Sequence, residues 1–119
     1  MLLARKGYRV LLVDKATFPS DTMSSHMVWQ PDMAQLKRWG LLDTVVALQC
    51  PPIRQVTSHL GAFALTGTPP PAEGVADAYA PRRQVLDTIL LEAARAAGAE
   101  VREDFSVQEV LLDHDCATR

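Results

Sequence analysis

Residues 2–14, LLARKGYRVLLVD, decide how this chain reads. Leu2 to Lys6 has the composition of the last turn of a helix. Ala and Leu are strong helix formers, and Arg5 and Lys6 suit the negative end of the helix dipole. Gly7 stands where a left-handed residue closes a helix. Tyr8 to Val13 is a continuous run of β-formers ending in Asp14, as expected of a parallel-sheet strand buried on both faces. Helix end, glycine, strand and terminal acid together make the second half of a βαβ nucleotide unit. In such units the acid after the second strand accepts hydrogen bonds from ribose hydroxyls. A carboxylate offers two acceptor oxygens to two vicinal hydroxyls. Asp14 is therefore the candidate ribose ligand, and plain α/β packing is the alternative explanation of the same stretch.

A glycine-rich phosphate loop belongs about 20 residues before that acid. Thirteen residues precede Asp14, and Gly7 is the one glycine among them. A helix this short is not stable by itself and has no N-cap here. The expectation is that the phosphate loop and the first strand are missing, so that the chain is an N-terminally truncated piece of a larger domain.

Beyond Asp14, Lys15 to Val28 shows no period and reads as a long loop, with a turn at Phe18-Pro19-Ser20-Asp21. A helix is predicted from Pro31 to Trp39, with Gln30 as its cap and Gly40 as its stop. A second short helix is predicted over 44–49, capped by Asp43, and Cys50-Pro51-Pro52 ends it. Ile53 to His59 and Ala62 to Thr66 resemble a hairpin whose apolar members are Val56, Phe63 and Leu65. The proline-rich run from Gly67 to Asp77 is a loop. Gln84 to Ala97 carries the clearest helical period, through Val85, Leu86, Ile89, Leu90, Ala93, Ala94 and Ala97, and Gly98 closes it. Strands are predicted at 100–102 and 106–112. The fold class is α/β.

The chain of 119 residues has room for one domain at most. A net charge of -2 and a pI of about 5.8 give no nucleic-acid footprint. No apolar run reaches membrane-span length, and the opening residues do not form a signal peptide, which suits a cytoplasmic protein. Cys50 and Cys116 share no ligand-like spacing and read as reduced thiols. His114 with Cys116 makes no metal site, because two ligands are too few. Trp29, Trp39 and Met33 read as packing of the Pro31 helix.

Three motifs in order carry a family resemblance across nearly the whole chain. LLARKGYRVLLVDKATFP (residues 2–19) resembles the stretch after the glycine-rich motif of FAD-dependent monooxygenases, flavin halogenases and geranylgeranyl reductases. A polar loop, Ser20 to His26, and a helix ending in RWGLLD (38–43) follow as in those families. In RRQVLDTILLEAARAAGAEV (82–101), Arg83, Leu86, Asp87 and Leu90 fill the pattern Arg-x-x-hydrophobic-Asp-x-x-Leu.

The resemblance implies a partial Rossmann-like FAD-binding domain with a small inserted β-region at Ile53 to Thr66. It places Asp14 at the adenosine ribose, where relatives more often carry Glu. It places Arg83 near the FAD diphosphate or ribityl chain, with Arg82 an equally basic neighbour. Ser25 and His26 fall where relatives bring a loop beside the flavin, although Ser24-Ser25-His26 departs from the halogenase and reductase patterns there and leaves the subfamily open. A solvent-facing loop histidine is the plainer reading of His26. The parent enzyme would reduce FAD with NADH or NADPH and act on a small organic substrate, either activating oxygen or delivering hydride to a double bond. The 119 residues alone would catalyse nothing. Two other classes stay open: a NAD- or S-adenosylmethionine-binding Rossmann domain, and a stand-alone non-catalytic interaction fragment.

Overall fold

A computed structural model describes residues 1–25, 27–113 and 116–117. His26 and His114 lie outside the described residues. The elements in chain order are α1 (Leu2–Arg5), β1 (Leu11–Val13), α2 (Gln30–Trp39), α3 (Leu42–Val46), β2 (Val56–His59), β3 (Ala64–Gly67), α4 (Arg83–Ala96), β4 (Glu100–Arg102), β5 (Leu112–Asp113) and β6 (Cys116–Ala117). They divide into two compact units. One comprises Met1–Ser20 with Leu90–Arg119, and the other Asp21–Ile89.

In the first unit α1 ends as its composition dictates. The N–H of Gly7 donates to the Ala4 carbonyl at 2.9 Å and that of Tyr8 to the Leu3 carbonyl at 3.2 Å. This is the double closure of a Schellman motif, and it needs the left-handed φ of 85° that Gly7 adopts. The chain then enters β1, which pairs in parallel with β4 in the register Leu11–Glu100, Leu12–Val101, Val13–Arg102. A parallel neighbour from a distant part of the chain is what a βαβ-type crossover produces. The second half of α4 contributes Leu91 and Ala94 to the buried set, and Ala99 joins them just before β4. Arg95 is held by Glu92 at 2.6 Å and Glu103 at 2.8 Å, which ties the end of α4 to the turn after β4.

Two expectations for this unit are corrected. The strand is shorter than Tyr8 to Val13 and is not buried on both faces: Leu11 is 52% exposed, and Leu12 and Val13 are intermediate. An apolar run records a capacity for burial, and only neighbours on both faces realise it. The strand expected over 106–112 is irregular as far as Leu111, and a two-residue β5 pairs antiparallel with β6 instead.

The second unit holds most of the core. Met33, Val45 and Ala78 have no exposed surface, and Ala34, Leu36, Val75 and Tyr79 are nearly as buried. The core forms where α2 packs on α3 and where the extended segment 78–79 is stitched on both sides. Ala78 bridges antiparallel to Ile53, and Tyr79 bridges antiparallel to Val28. Two ion pairs clamp the preceding loop: Glu73 takes Arg38, and Asp77 takes Arg54 at 2.7 Å.

Here too the boundaries move. Trp29, not Gln30, is the N-cap of α2. Gln30 is the first helical residue and is 1% exposed, its Nε2 donating to the Ala76 carbonyl at 3.2 Å. Asp43 lies inside α3 and not at its cap, because the helix begins at Leu42, two residues earlier than expected. The hairpin forms as β2 and β3, paired from Val56–Gly67 to His59–Ala64, but Phe63 and Leu65 remain more than half exposed.

Candidate functional site

Asp14 follows directly on β1, and three backbone hydrogen bonds lock its surroundings. Its N–H donates to the Arg102 carbonyl at 3.0 Å, and its carbonyl accepts the Phe105 N–H at 2.9 Å. Two residues on, the Ala16 carbonyl accepts from Asp104 at 3.3 Å. The half-buried side chain makes an Asx turn, with Oδ1 accepting the Ala16 N–H at 2.8 Å. Oδ2 has no hydrogen-bond partner among the described residues. Asp14 is thus a carboxylate fixed at the carboxyl end of a parallel strand, with one oxygen uncommitted. Such strand ends are where open α/β sheets bind ligands.

The start of α4 carries the two arginines, and the structure separates them. Arg83 is the first helical residue. Its Nε donates to Asp87 Oδ1 at 2.8 Å and its Nη2 lies 2.7 Å from Oδ2, a two-point pair one helical turn long. Asp87's hydrogen bonds and charge hold the Arg83 guanidinium above its ordinary pKa. Arg82, one residue outside the helix, reaches the carboxylate of Asp21 instead. Asp21, Thr22, Met23 and Arg82 line a shallow, mainly polar hollow of about 260 Å³. Ser25 is exposed on the irregular segment that follows, and His26 lies outside the described residues.

Sequence reasoning placed Asp87 in one motif with Arg83 and Asp21 in a turn, but paired neither carboxylate with its arginine. The signal for Asp87 was present in its four-residue spacing from Arg83. Nothing local could have found Asp21, which is 61 residues from Arg82. Among the described residues there is no cluster of metal-ligating side chains, and no helix is long and apolar enough to cross a membrane.

An α/β unit with an acid at the end of its leading parallel strand, joined in sequence to a region of helices and a hairpin, is of the α/β class that nucleotide-binding folds also use. The comparisons make the class specific. The myxobacterial chondrochloren halogenase CndH, described as a new variant of FAD-dependent halogenases, matches with a TM-score of 0.80 at 26% identity, over 96% of this chain and 27% of that one. The flavin-dependent halogenase CmlS matches with a TM-score of 0.76 at 26% identity, over 91% of this chain and 20% of that one. A flavoprotein/dehydrogenase from Cytophaga hutchinsonii shares the fold at 21% identity with a TM-score of 0.75, over 93% of this chain and 28% of that one. No protein-family model and no curated protein matches. The chain therefore has the fold of the FAD-dependent halogenases and their flavoprotein relatives, as its motifs implied, and spans about a quarter of the length of these structures.

Proposed function

We propose that the chain is part of an FAD-dependent oxidoreductase, an NAD(P)H-dependent monooxygenase or reductase acting on a small organic substrate. The observation that carries this reading is Asp14, a carboxylate fixed by its backbone after a parallel strand in a fold shared with FAD-dependent halogenases. Its uncommitted Oδ2, and the second lone pair of Oδ1, suit the two donors of an adenosine ribose. Arg82 and Arg83 would serve the diphosphate or ribityl chain. Of the two, Arg82 has the donors to spare, since Asp87 occupies Arg83 at two points. Ser25 and His26 would approach the ring system.

When bound, the flavin supplies the redox chemistry, and the protein's part is to bind, orient and exclude water. None of these residues need act as acid or base.

The test is a titration of the 119-residue chain with FAD, followed by quenching of flavin fluorescence, with Asp14→Ala and Asp14→Asn in parallel. Saturable binding by the native chain, weakened about tenfold or more in both variants, is expected, because a charged hydrogen bond contributes roughly 1.5–3 kcal/mol. Native and Asp14→Ala chains binding FAD equally would remove Asp14 from the site.

A further inference from the structure

We propose that Asp21 is a built-in competitor for phosphate-class anions at Arg82. The two adjacent arginines offer a comparison within one structure. Arg83 is filled at two points by Asp87 on its own helix, and the pair is 37% and 16% exposed. That pairing closes no loop, since both residues are already held on one helix face. Arg82 lies outside the helix and is 66% exposed, and its partner is 44% exposed. It engages Asp21 through Nη2, which leaves Nε and Nη1 without a hydrogen-bond partner among the described residues. Asp21 comes from a segment with no regular structure, 61 residues away, so the pair holds only while that segment stays closed.

An exposed ion pair of this kind is weak and sensitive to salt. A phosphate oxyanion carries more charge than a carboxylate and presents three acceptors to a guanidinium fork, so it outcompetes Asp21 for the same donors. Thr22 lines the same hollow, and its side chain is of a type that can donate to an anion. Asp21 thus occupies the guanidinium while the site is empty, raises the threshold against weak monoanions, and frees the segment 21–25 when a phosphate group displaces it. Asp21 is in this sense a positioning residue. Identifying the anion as the diphosphate of FAD rests on the function proposed above, whereas the exchange itself requires only a phosphate group.

The experiment is a titration of the 119-residue chain with inorganic pyrophosphate at fixed ionic strength, followed by backbone amide shifts in NMR spectra, and then a second titration with FAD. Asp21→Asn is expected to bind pyrophosphate about two- to fivefold more tightly, the range corresponding to loss of an exposed competing pair. Arg82→Gln should abolish the saturable shifts at Thr22 and Met23. Asp32→Asn, which removes the same charge from an exposed position on α2, should stay within about twofold of the native chain. The inference is overturned if Asp21→Asn binds no more tightly than Asp32→Asn, if Arg82→Gln keeps the shifts, or if neither the native chain nor Asp21→Asn binds pyrophosphate saturably. Pyrophosphate following the expected pattern without any binding of FAD would sink the flavin reading and leave the exchange standing. FAD binding that Asp21→Asn does not alter, with pyrophosphate equally unaffected, would do the reverse.

Discussion

Truncating Met33 to alanine tests where the Asp21–Ile89 unit keeps its core. Met33 lies on α2 with no exposed surface. Met33→Ala removes roughly three methylene equivalents at about 0.8 kcal/mol each, or about 2.4 kcal/mol of transfer free energy. Incomplete collapse of the surrounding side chains adds a cavity cost and brings the loss to about 3 kcal/mol, inside the 2–5 kcal/mol range of such truncations. Leu65→Ala is the contrast. Leu65 is an apolar member of the hairpin, but it is 59% exposed, so its truncation should cost below about 1 kcal/mol. Met33→Leu keeps the volume and should cost less than about 1.5 kcal/mol. Trp29 and Trp39, the two tryptophans of the chain, both belong to this unit, so urea unfolding followed by tryptophan fluorescence reports on it directly. The midpoint should fall sharply for Met33→Ala with little change in slope, and barely move for Leu65→Ala. Equal losses for the two variants would refute the placement of the core at α2, α3 and the 75–79 segment, and so would a Met33→Ala cost under about 1 kcal/mol.

Two further predictions concern local devices. Arg54 hydrogen-bonds Asp77 and holds its carboxyl below the ordinary range, so this pair stabilises the fold above the unfolded carboxylate pKa of about 3.9, and the contribution is lost as pH falls through the depressed folded value. Urea midpoints of the native chain and Asp77→Asn should therefore differ near neutrality and converge in acid, and a gap that widened in acid would contradict the assigned direction. Gly40 closes α2 at a φ of 76°, with its N–H on the Lys37 carbonyl and that of Leu41 on the Leu36 carbonyl. Gly40→Ala should cost about 1–2 kcal/mol in urea unfolding through left-handed strain, and Gly40→Asn less, because asparagine tolerates that region better.

Much of the architecture was legible along the chain because its determinants are local. The helix stops at Gly7, Gly40 and Gly98 follow from a conformation that glycine adopts freely, and all three residues have positive φ. The helical period after Arg83 yields α4, observed over Arg83–Ala96. The apolar run ending in Asp14 yields a strand followed by an acid, and the strand at 100–102 was also named from sequence, whereas its parallel pairing with β1 comes from the structure. The step from these features to the FAD-dependent fold came from the resemblance of three ordered motifs to flavin-enzyme families, and the halogenase structures share that fold.

What the sequence left undecided depended on groups distant along the chain. Periodicity measures a residue's capacity for burial and not the neighbours that realise it, so Leu11 and Leu65 read as buried types and are exposed. Gln30 reads as a poor cap, yet it lies buried, because the carbonyl that receives its amide belongs to Ala76, 46 residues away. The site divides along the same line. Asp14 is marked by its position after a strand, which is local information. The difference between Arg82 and Arg83 is only half local: Asp87 stands four residues after Arg83, whereas the partner of Arg82 is 61 residues away. Only the tertiary fold brings Asp21 to Arg82 while Arg83 keeps Asp87 one helical turn away, and that leaves one guanidinium filled and the other exchangeable.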